Sequence, residues 1–167
     1  YNENEEEINI IEVKATTNSK YTDAKVGLLF SDKRGGTKYP LFVKEGNIWR
    51  LNALASTKTD YAAKNYEAKK GLLLDRYSNY GKYPHDLAFQ RYVIEHALRK
   101  AGDNRPVNFY LAVLNSEYAF DGTRDASGDC VYNEIGGQEL ITFLDMNETT
   151  LAYQTFILKE IAMLESY

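Results

Sequence analysis

Cysteine, histidine and long apolar runs are scarce in this chain of 167 residues, and each shortage excludes a class of protein. Cys130 is the only cysteine, so the chain alone cannot form a disulfide or a zinc or iron-sulfur site built on several thiolates. No stretch approaches the ~20 consecutive apolar residues that a membrane span needs. Residues 1–7 are polar and acidic, unlike a secretory leader, so the sequence predicts a soluble cytoplasmic protein with no membrane partner.

Basic residues are also outnumbered, since 20 Lys and Arg face 24 Asp and Glu and give a net charge of -4. This balance argues against a wholly basic nucleic-acid coat, although it is compatible with a small basic groove. Hydrophobic residues make up 44% of the chain, as is typical of one globular domain. Because the chain begins at Tyr1 rather than at Met, we expect it to be a piece of a longer protein with further residues upstream.

Short runs of β-branched and aromatic residues predict strands, each bounded by polar or glycine-containing turns. The predicted strands are 8–14, 25–30, 39–43, 48–51, 107–114, 118–120 and 140–144. Gly46 and Asn47 indicate a tight hairpin between the third and fourth of these strands. Segment 123–137 is polar and rich in glycine, so we expect a loop there.

Helical periodicity and capping residues predict three helices. They run from Thr59 or Asp60 to about Tyr77, from about Pro84 to Gly102, and from Asn147 or Thr149 towards the end of the chain. An apolar stripe predicts the buried side of the second helix, which consists of Leu87, Phe89, Tyr92, Val93, Ala97, Leu98 and Ala101. The mixture of strands and helices predicts an α/β fold, with α+β as the alternative.

Glu12 and Lys14 stand two positions apart on the first predicted strand and therefore point to the same side of the sheet. Such a carboxylate can hold a hard cation such as Mg²⁺, while the ammonium positions or helps to deprotonate the attacking water. This is the working pair of metal-dependent phosphodiester cleavage. The same acid-x-Lys spacing recurs at 23–25 and 67–69, so the tripeptide alone is weakly specific. The alternative is a strand that runs out into solvent.

Gln90 is a polar residue beside the apolar stripe of the second helix, on one ridge with Asp86, Val93 and Ala97. Its amide can hydrogen-bond a lysine, a metal-bound water or a phosphate at the neighbouring strand end. The alternative is an amide at the edge of the buried surface that has no chemical role.

Together, these two segments resemble the PD-(D/E)xK nuclease superfamily in its RecB-like branch. Glu12-Val13-Lys14, with the residues around it, is similar to the third motif of that superfamily, and segment 86–93 is similar to its glutamine-tyrosine helix. The match is closest to an uncharacterised bacterial RecB-like family, in which segment 115–118 also fits. The resemblance covers about residues 5–20 and 83–165.

The resemblance implies a restriction-endonuclease-like mixed central sheet flanked by helices, and hydrolysis of DNA with Mg²⁺ or Mn²⁺. In that reaction Glu12 would be the metal ligand, Lys14 would orient water or stabilise the transition state, and Gln90 would be an auxiliary contact. Residues 1–167 would form one nuclease-type domain that lacks its N-terminal part. Segment 21–82 would be an insertion that carries a β-hairpin and a helix.

Two positions depart from the family pattern. The metal-binding aspartate of the superfamily belongs to the strand before Glu12, and no Asp precedes Glu12 here. We expect it a few residues upstream of Tyr1, with the glutamates of segment 3–7 as the alternative, so the chain as given should be inactive or nearly so. The family's tyrosine follows the glutamine by four positions, where this chain has Ile94; Tyr92 is therefore expected in the core.

A basic loop in the insertion predicts contacts with nucleic acid. Lys33, Arg34 and Lys38 surround two glycines, whose backbone N–H groups can approach phosphate. Further positive charge nearby comes from Lys58, Lys64, Lys69 and Lys70. The alternative is a solvated hairpin turn and an ordinary charged helix face. His85 is expected to line the cleft or to help cap its helix, because the chain lacks the further histidines of a His-Asp metal hydrolase.

A rival hypothesis from a different class is a non-catalytic module that keeps the nuclease fold. It would use the insertion to bind nucleic acid or a protein partner. Cys130 has no partner histidine and is not expected to act as a nucleophile.

Overall fold

The computed structural model of the chain describes residues 1–53 and 59–167. The strands are β1 (Asn2–Glu3), β2 (Ile8–Thr17), β3 (Leu29–Ser31), β4 (Lys38–Pro40), β5 (Phe42–Glu45), β6 (Ile48–Leu51), β7 (Val107–Leu114) and β8 (Ile141–Asp145). The helices are α1 (Ser19–Thr22), α2 (Asp60–Leu73), α3 (Lys82–Ala101) and α4 (Asn147–Glu165). Lys58, which we expected to add charge beside α2, lies outside the described residues.

Six of the strands form one mixed sheet in the order β1-β2-β7-β8-β6-β5. The pairs β2–β7 and β6–β8 are parallel, whereas β1–β2, β7–β8 and β5–β6 are antiparallel. β3 and β4 form a separate two-stranded hairpin. The predicted α/β class is confirmed.

The hydrophobic core lies against one face of the sheet. Side chains alternate between the two faces of a strand, and those on the core face include Ile8, Ile10, Phe42, Phe109, Leu111, Val113 and Leu144. Helices α2 and α3 cover this face with Tyr66, Leu73 and Leu87. The opposite face is open in part, because Val13 on β2 is 70% exposed there. Glu12 and Lys14 therefore follow the buried Ile8 and Ile10 on the face that the helices cover.

Segment 21–82 contributes to the same core and extends the sheet with the β5–β6 hairpin, which turns at Gly46 with a φ of 65°. The predicted strand 25–30 is wrong over residues 25–28. The cause is the Asp23 carboxylate, which accepts hydrogen bonds from the backbone N–H groups of Lys25 and Val26 and holds a turn. The predicted strand 39–43 is divided between β4 and β5, because the N–H of Leu41 donates to Leu28 outside either ladder.

The second predicted helix is confirmed as α3, which ends at Gly102 in the left-handed conformation with a φ of 73°. Part of its expected buried side is wrong: Phe89, Val93, Ala97 and Ala101 are exposed. The reason is that α3 packs on two sides at once. Leu87, Ile94 and Leu98 meet the sheet, whereas Ala88 and Tyr92 meet α4.

Three other features of the secondary structure differ from expectation. α2 ends at Leu73, short of Tyr77, and residues 118–120 form no strand. α4 begins at Asn147, but its first N–H is bound by the Asp145 carboxylate and no side chain of Asn147 or Thr149 serves as its cap. None of the described helices has both the length and the apolar composition needed to cross a bilayer.

Candidate functional site

Strand β2 and helix α3 bring together Glu12, Lys14 and Gln90. The amide nitrogen Nε2 of Gln90 donates to Oε2 of Glu12 at 2.8 Å. The ammonium Nζ of Lys14 lies 3.2 Å from Oε1 of Glu12. Both oxygens of the Glu12 carboxylate are therefore engaged, one by a residue of its own strand and the other by a residue 78 positions later.

Asp86 is a fourth member of this group. Its Oδ2 accepts a hydrogen bond from Nζ of Lys14 at 3.3 Å, so Lys14 stands between two carboxylates. Sequence reasoning placed Asp86 on the ridge of Gln90 but gave it no role in the site. The spacing carried the signal, because residues four apart on a helix lie one turn apart on the same side.

The charges of Glu12 and Lys14 stabilise each other. Burial raises the pKa of the Glu12 carboxyl, but the donors of Gln90 and Lys14 outweigh it and hold the pKa below its usual 4.5. Burial lowers the pKa of the Lys14 ammonium, but Glu12 and Asp86 outweigh it and hold the pKa above its usual 10.5. Lys14 is therefore a fixed cation at neutral pH, which suits charge stabilisation better than proton abstraction.

The ring of Tyr83 forms a second feature beside this group. Three ammonium groups lie near its centroid: that of Lys20 at 4.8 Å, that of Lys14 at 5.1 Å and that of Lys82 at 5.7 Å. Lys20 also donates to the backbone oxygen of Asn79 at 2.6 Å. Sequence reasoning missed Lys20, Lys82 and Tyr83, because no spacing rule relates the turn after β2 to the start of α3.

The side chains of this site supply some, but not all, of the ligands that a divalent metal ion needs. Within residues 1–53 and 59–167, no three His, Cys, Asp or Glu side chains lie close enough to form a metal cluster. Mg²⁺ is commonly held by one or two carboxylates together with water. Glu12 and Asp86 are the two carboxylates that the described site offers.

Two glutamates of segment 3–7 have partners at the other end of β2. Glu3 forms an ion pair with Arg105 at 3.0 Å, and Glu7 accepts hydrogen bonds from the side-chain amides of Asn9 and Asn108. These two glutamates therefore serve the β1–β2 turn, and neither is bound to the Glu12 group.

The remaining predicted contacts lie apart from Glu12. Lys33 and Arg34 are exposed on the turn between β3 and β4. Lys38 lines a cavity of about 240 Å³ together with Lys25 and Lys69. The structure places His85 against α4, where its ring packs 5.4 Å from that of Tyr153, rather than at Glu12.

The segment that follows β7 has a structural function. Asn18, at the end of β2, is 6% exposed. Its amide donates to Oγ1 of Thr142 at 2.9 Å and accepts from the backbone N–H of Ser116 at 3.0 Å. The amide of Asn115 in turn donates to the backbone oxygen of Glu139. These bonds tie the ends of β2 and β7 to the start of β8, the edge of the sheet towards which Glu12 and Lys14 lead.

We compared the chain with models of protein families, with curated proteins and with solved structures, and none of them matched.

Proposed function

We propose that this chain carries the Glu-x-Lys half of a metal-dependent phosphodiesterase site that acts on DNA. One observation supports it above the others. The Gln90 amide reaches from α3 to the Glu12 carboxylate at 2.8 Å while Lys14 bonds the same carboxylate from β2. A carboxylate, an ammonium and an amide so arranged can position water and stabilise charge at a phosphate.

Each residue has a definite task in this proposal. Glu12, with Asp86 and water, would hold Mg²⁺ or Mn²⁺, which when bound supplies Lewis-acid polarisation of a phosphoryl oxygen. Gln90 fixes the rotamer of Glu12 through its hydrogen bond. Lys14 remains charged and would present its ammonium to the negative charge on the non-bridging oxygens of the pentacoordinate transition state. Asp86 restrains the Lys14 side chain.

The upstream aspartate stays a prediction, and the β1–β2 register makes it more specific. Asn2 pairs with Asn9 and Glu3 with Ile8. Because each step back along β1 is one step forward along β2, unbroken pairing would place the partner of Glu12 two positions before Tyr1. An Asp at that position of a longer chain would share the face of Glu12.

The rival proposal is a non-catalytic module that binds nucleic acid, and one observation favours it. Lys14 forms ion pairs with both Glu12 and Asp86, so its ammonium already balances charge between these two carboxylates. We also propose a cytoplasmic location, because a single cysteine offers no disulfide for an oxidising compartment.

Lys14→Met tests the catalytic proposal on linear DNA in Mg²⁺ or Mn²⁺, using the chain extended upstream. We expect the cleavage rate to fall by about 10²-fold or more, because a preorganised charge is lost from the transition state. Lys159→Met is the matched control, since Lys159 is exposed on α4 and makes no ion pair with any described residue. Undiminished cleavage by Lys14→Met would rule out the assignment. Binding without cleavage by the unsubstituted extended chain would favour the rival.

A further inference from the structure

Lys20 and Lys82 are two cations that no carboxylate of the described residues neutralises. Neither makes an ion pair with any described residue, although Lys14 beside them pairs with two carboxylates. The only backbone or side-chain oxygen that the described residues bring to the Lys20 ammonium is the carbonyl of Asn79. The face of the Tyr83 ring attracts cations through its quadrupole, but it carries no net charge.

The two ammonium groups repel each other across that ring. Burial, and after it the charge of Lys82, lowers the pKa of the Lys20 ammonium. Proteins rarely hold like charges together without a partner, because the repulsion opposes folding. An anion bound between Lys20 and Lys82 would supply the missing charge at the place where Lys14 faces the same ring.

A second group of lysines, Lys25, Lys38 and Lys69, lines a cavity to which Tyr80 also contributes. None of the described residues that line this cavity is Asp or Glu. Tyr80 lines the cavity as well, and its backbone oxygen accepts a hydrogen bond from the hydroxyl of Tyr21, which follows Lys20 in α1. Segment 79–83 thus meets both groups of lysines, with Asn79 and Tyr83 at Lys20 and Tyr80 at the cavity.

We propose that Lys20 and Lys82 form a phosphate subsite beside the Glu12–Lys14 pair, and that the cavity of Lys25, Lys38 and Lys69 receives a further phosphate of the same strand. The ligand is the phosphodiester backbone of a nucleic acid, because two groups of lysines that both meet segment 79–83 fit a chain of phosphates better than a single anion. The inference rests on the proposed function for the identity of its ligand. It adds the direction in which the nucleic-acid strand would run away from the Glu12 group.

The test compares two double variants that remove the same charge. Lys20→Gln with Lys82→Gln empties the proposed subsite, whereas Lys100→Gln with Lys159→Gln removes two exposed lysines that make no ion pair with described residues. Binding of a labelled DNA oligonucleotide, single-stranded or duplex, is measured without divalent metal from about 50 to 200 mM salt.

We expect the subsite variant to lose at least tenfold in affinity at the lowest salt. The slope of log K against log salt should become shallower by about 0.7 for a single strand or 0.9 for a duplex, as for one lost phosphate contact.

The control double variant should keep the slope of the unsubstituted chain. Equal losses in both double variants would overturn the subsite, since net charge alone would then explain the binding, and so would a chain that binds neither DNA nor RNA. Lys20→Arg with Lys82→Arg should restore binding. If the double variant fails to fold, the same binding measurement is made on the single variant Lys82→Gln, whose position is exposed. Its affinity for DNA should also fall. Loss of binding in the subsite variant, with no cleavage by any chain, would leave the subsite standing and overturn only the nuclease proposal.

Discussion

At the scale of the residue, the site depends on how Glu12 is held. Its side chain is one quarter exposed, and the hydrogen bonds from Gln90 and Lys14 outweigh burial and hold the pKa of the carboxyl below its usual value. The relation of Glu12 to Lys14 could be predicted from sequence, because a strand fixes residues two apart on one side. Gln90 stood out in the sequence as a polar residue beside the apolar stripe of the second predicted helix. Tyr83 and its lysines meet only in three dimensions, so no local pattern could reveal them.

Gln90→Leu should raise the pKa of the Glu12 carboxyl. The substitution removes the donor at 2.8 Å and leaves burial, which favours the protonated form, opposed by Lys14 alone. A ¹³C NMR titration of the Glu12 side-chain carboxyl measures the shift. Gln154→Leu is the matched control, because Gln154 is also a half-buried helix amide but bonds only backbone oxygens. An unchanged Glu12 pKa in Gln90→Leu would show that the hydrogen bond does not form in solution.

The same two pKa shifts set the pH range in which the Glu12–Lys14 pair stabilises the fold. The folded pKa of Glu12 is depressed, so its contribution is present above its usual pKa of 4.5 and is lost as the pH falls through the lower folded value. The folded pKa of Lys14 is raised, so its contribution is present below 10.5 and is lost as the pH rises through the higher folded value. The pair is intact between these limits.

At the scale of the element, the end of α3 was more predictable than its buried face. Gly102 closes α3 where the sequence placed it, because a left-handed residue after a helix favours glycine. The buried side of α3 was predicted poorly, since a single apolar stripe does not show that a helix packs on a sheet and on α4 at once. Exposed Val93 and Ala97 then lie on the ridge of Gln90, which faces the site.

Two glycine substitutions, one just after a helix and one inside a helix, should change the free energy of unfolding in opposite directions. Gly102→Ala should lower the free energy of unfolding by about 1–2 kcal/mol, because alanine is strained at a φ of 73°. Gly71→Ala should raise it by about 0.5–1 kcal/mol, because Gly71 is helical in α2 and loses more conformational freedom on folding than alanine does. An added Cβ meets no atom within 4 Å at either position. Urea denaturation measures both, and changes of the same sign would contradict the assigned backbone conformations.

At the scale of the whole molecule, the sequence predicted the class of the fold but not the order of its strands. Alternating strands and helices indicate an α/β protein. The insertion of β8 between β7 and β6, which makes the sheet mixed, depends on pairings between distant segments. Apolar residues on both faces of the first predicted strand indicate a central strand rather than an edge, and β2 does lie between β1 and β7. The exposure of Val13 does not follow from that pattern, because the sequence does not show which face of the sheet the helices cover.

Amide hydrogen exchange should follow the depth of each strand in this sheet. We expect the slowest exchange in the paired part of β2 and in β7, which has neighbours on both edges. The fastest exchange among the strands should occur in β1, whose pairing with β2 extends over only two residues. Loop 123–137 should exchange fast as well, because buried hydrogen-bonded backbone is what opens last. Mass spectrometry of pulse-labelled peptides measures this order, and protection of β1 equal to that of β7 would contradict it.

The parallel pairing of β2 with β7 has a consequence for how the molecule assembles. It joins segments about 100 positions apart in the chain, and such closures come late because their entropic cost precedes any gain from contact. α3 lies between those two strands in sequence, packs on β7, and carries Gln90, which bonds Glu12 of β2. During synthesis, a ribosome-bound chain that ends before β7 would expose the unpaired edge of β2 together with Lys20 and Lys82. Folding speed and aggregation in the cell would then be governed by how soon β7 emerges.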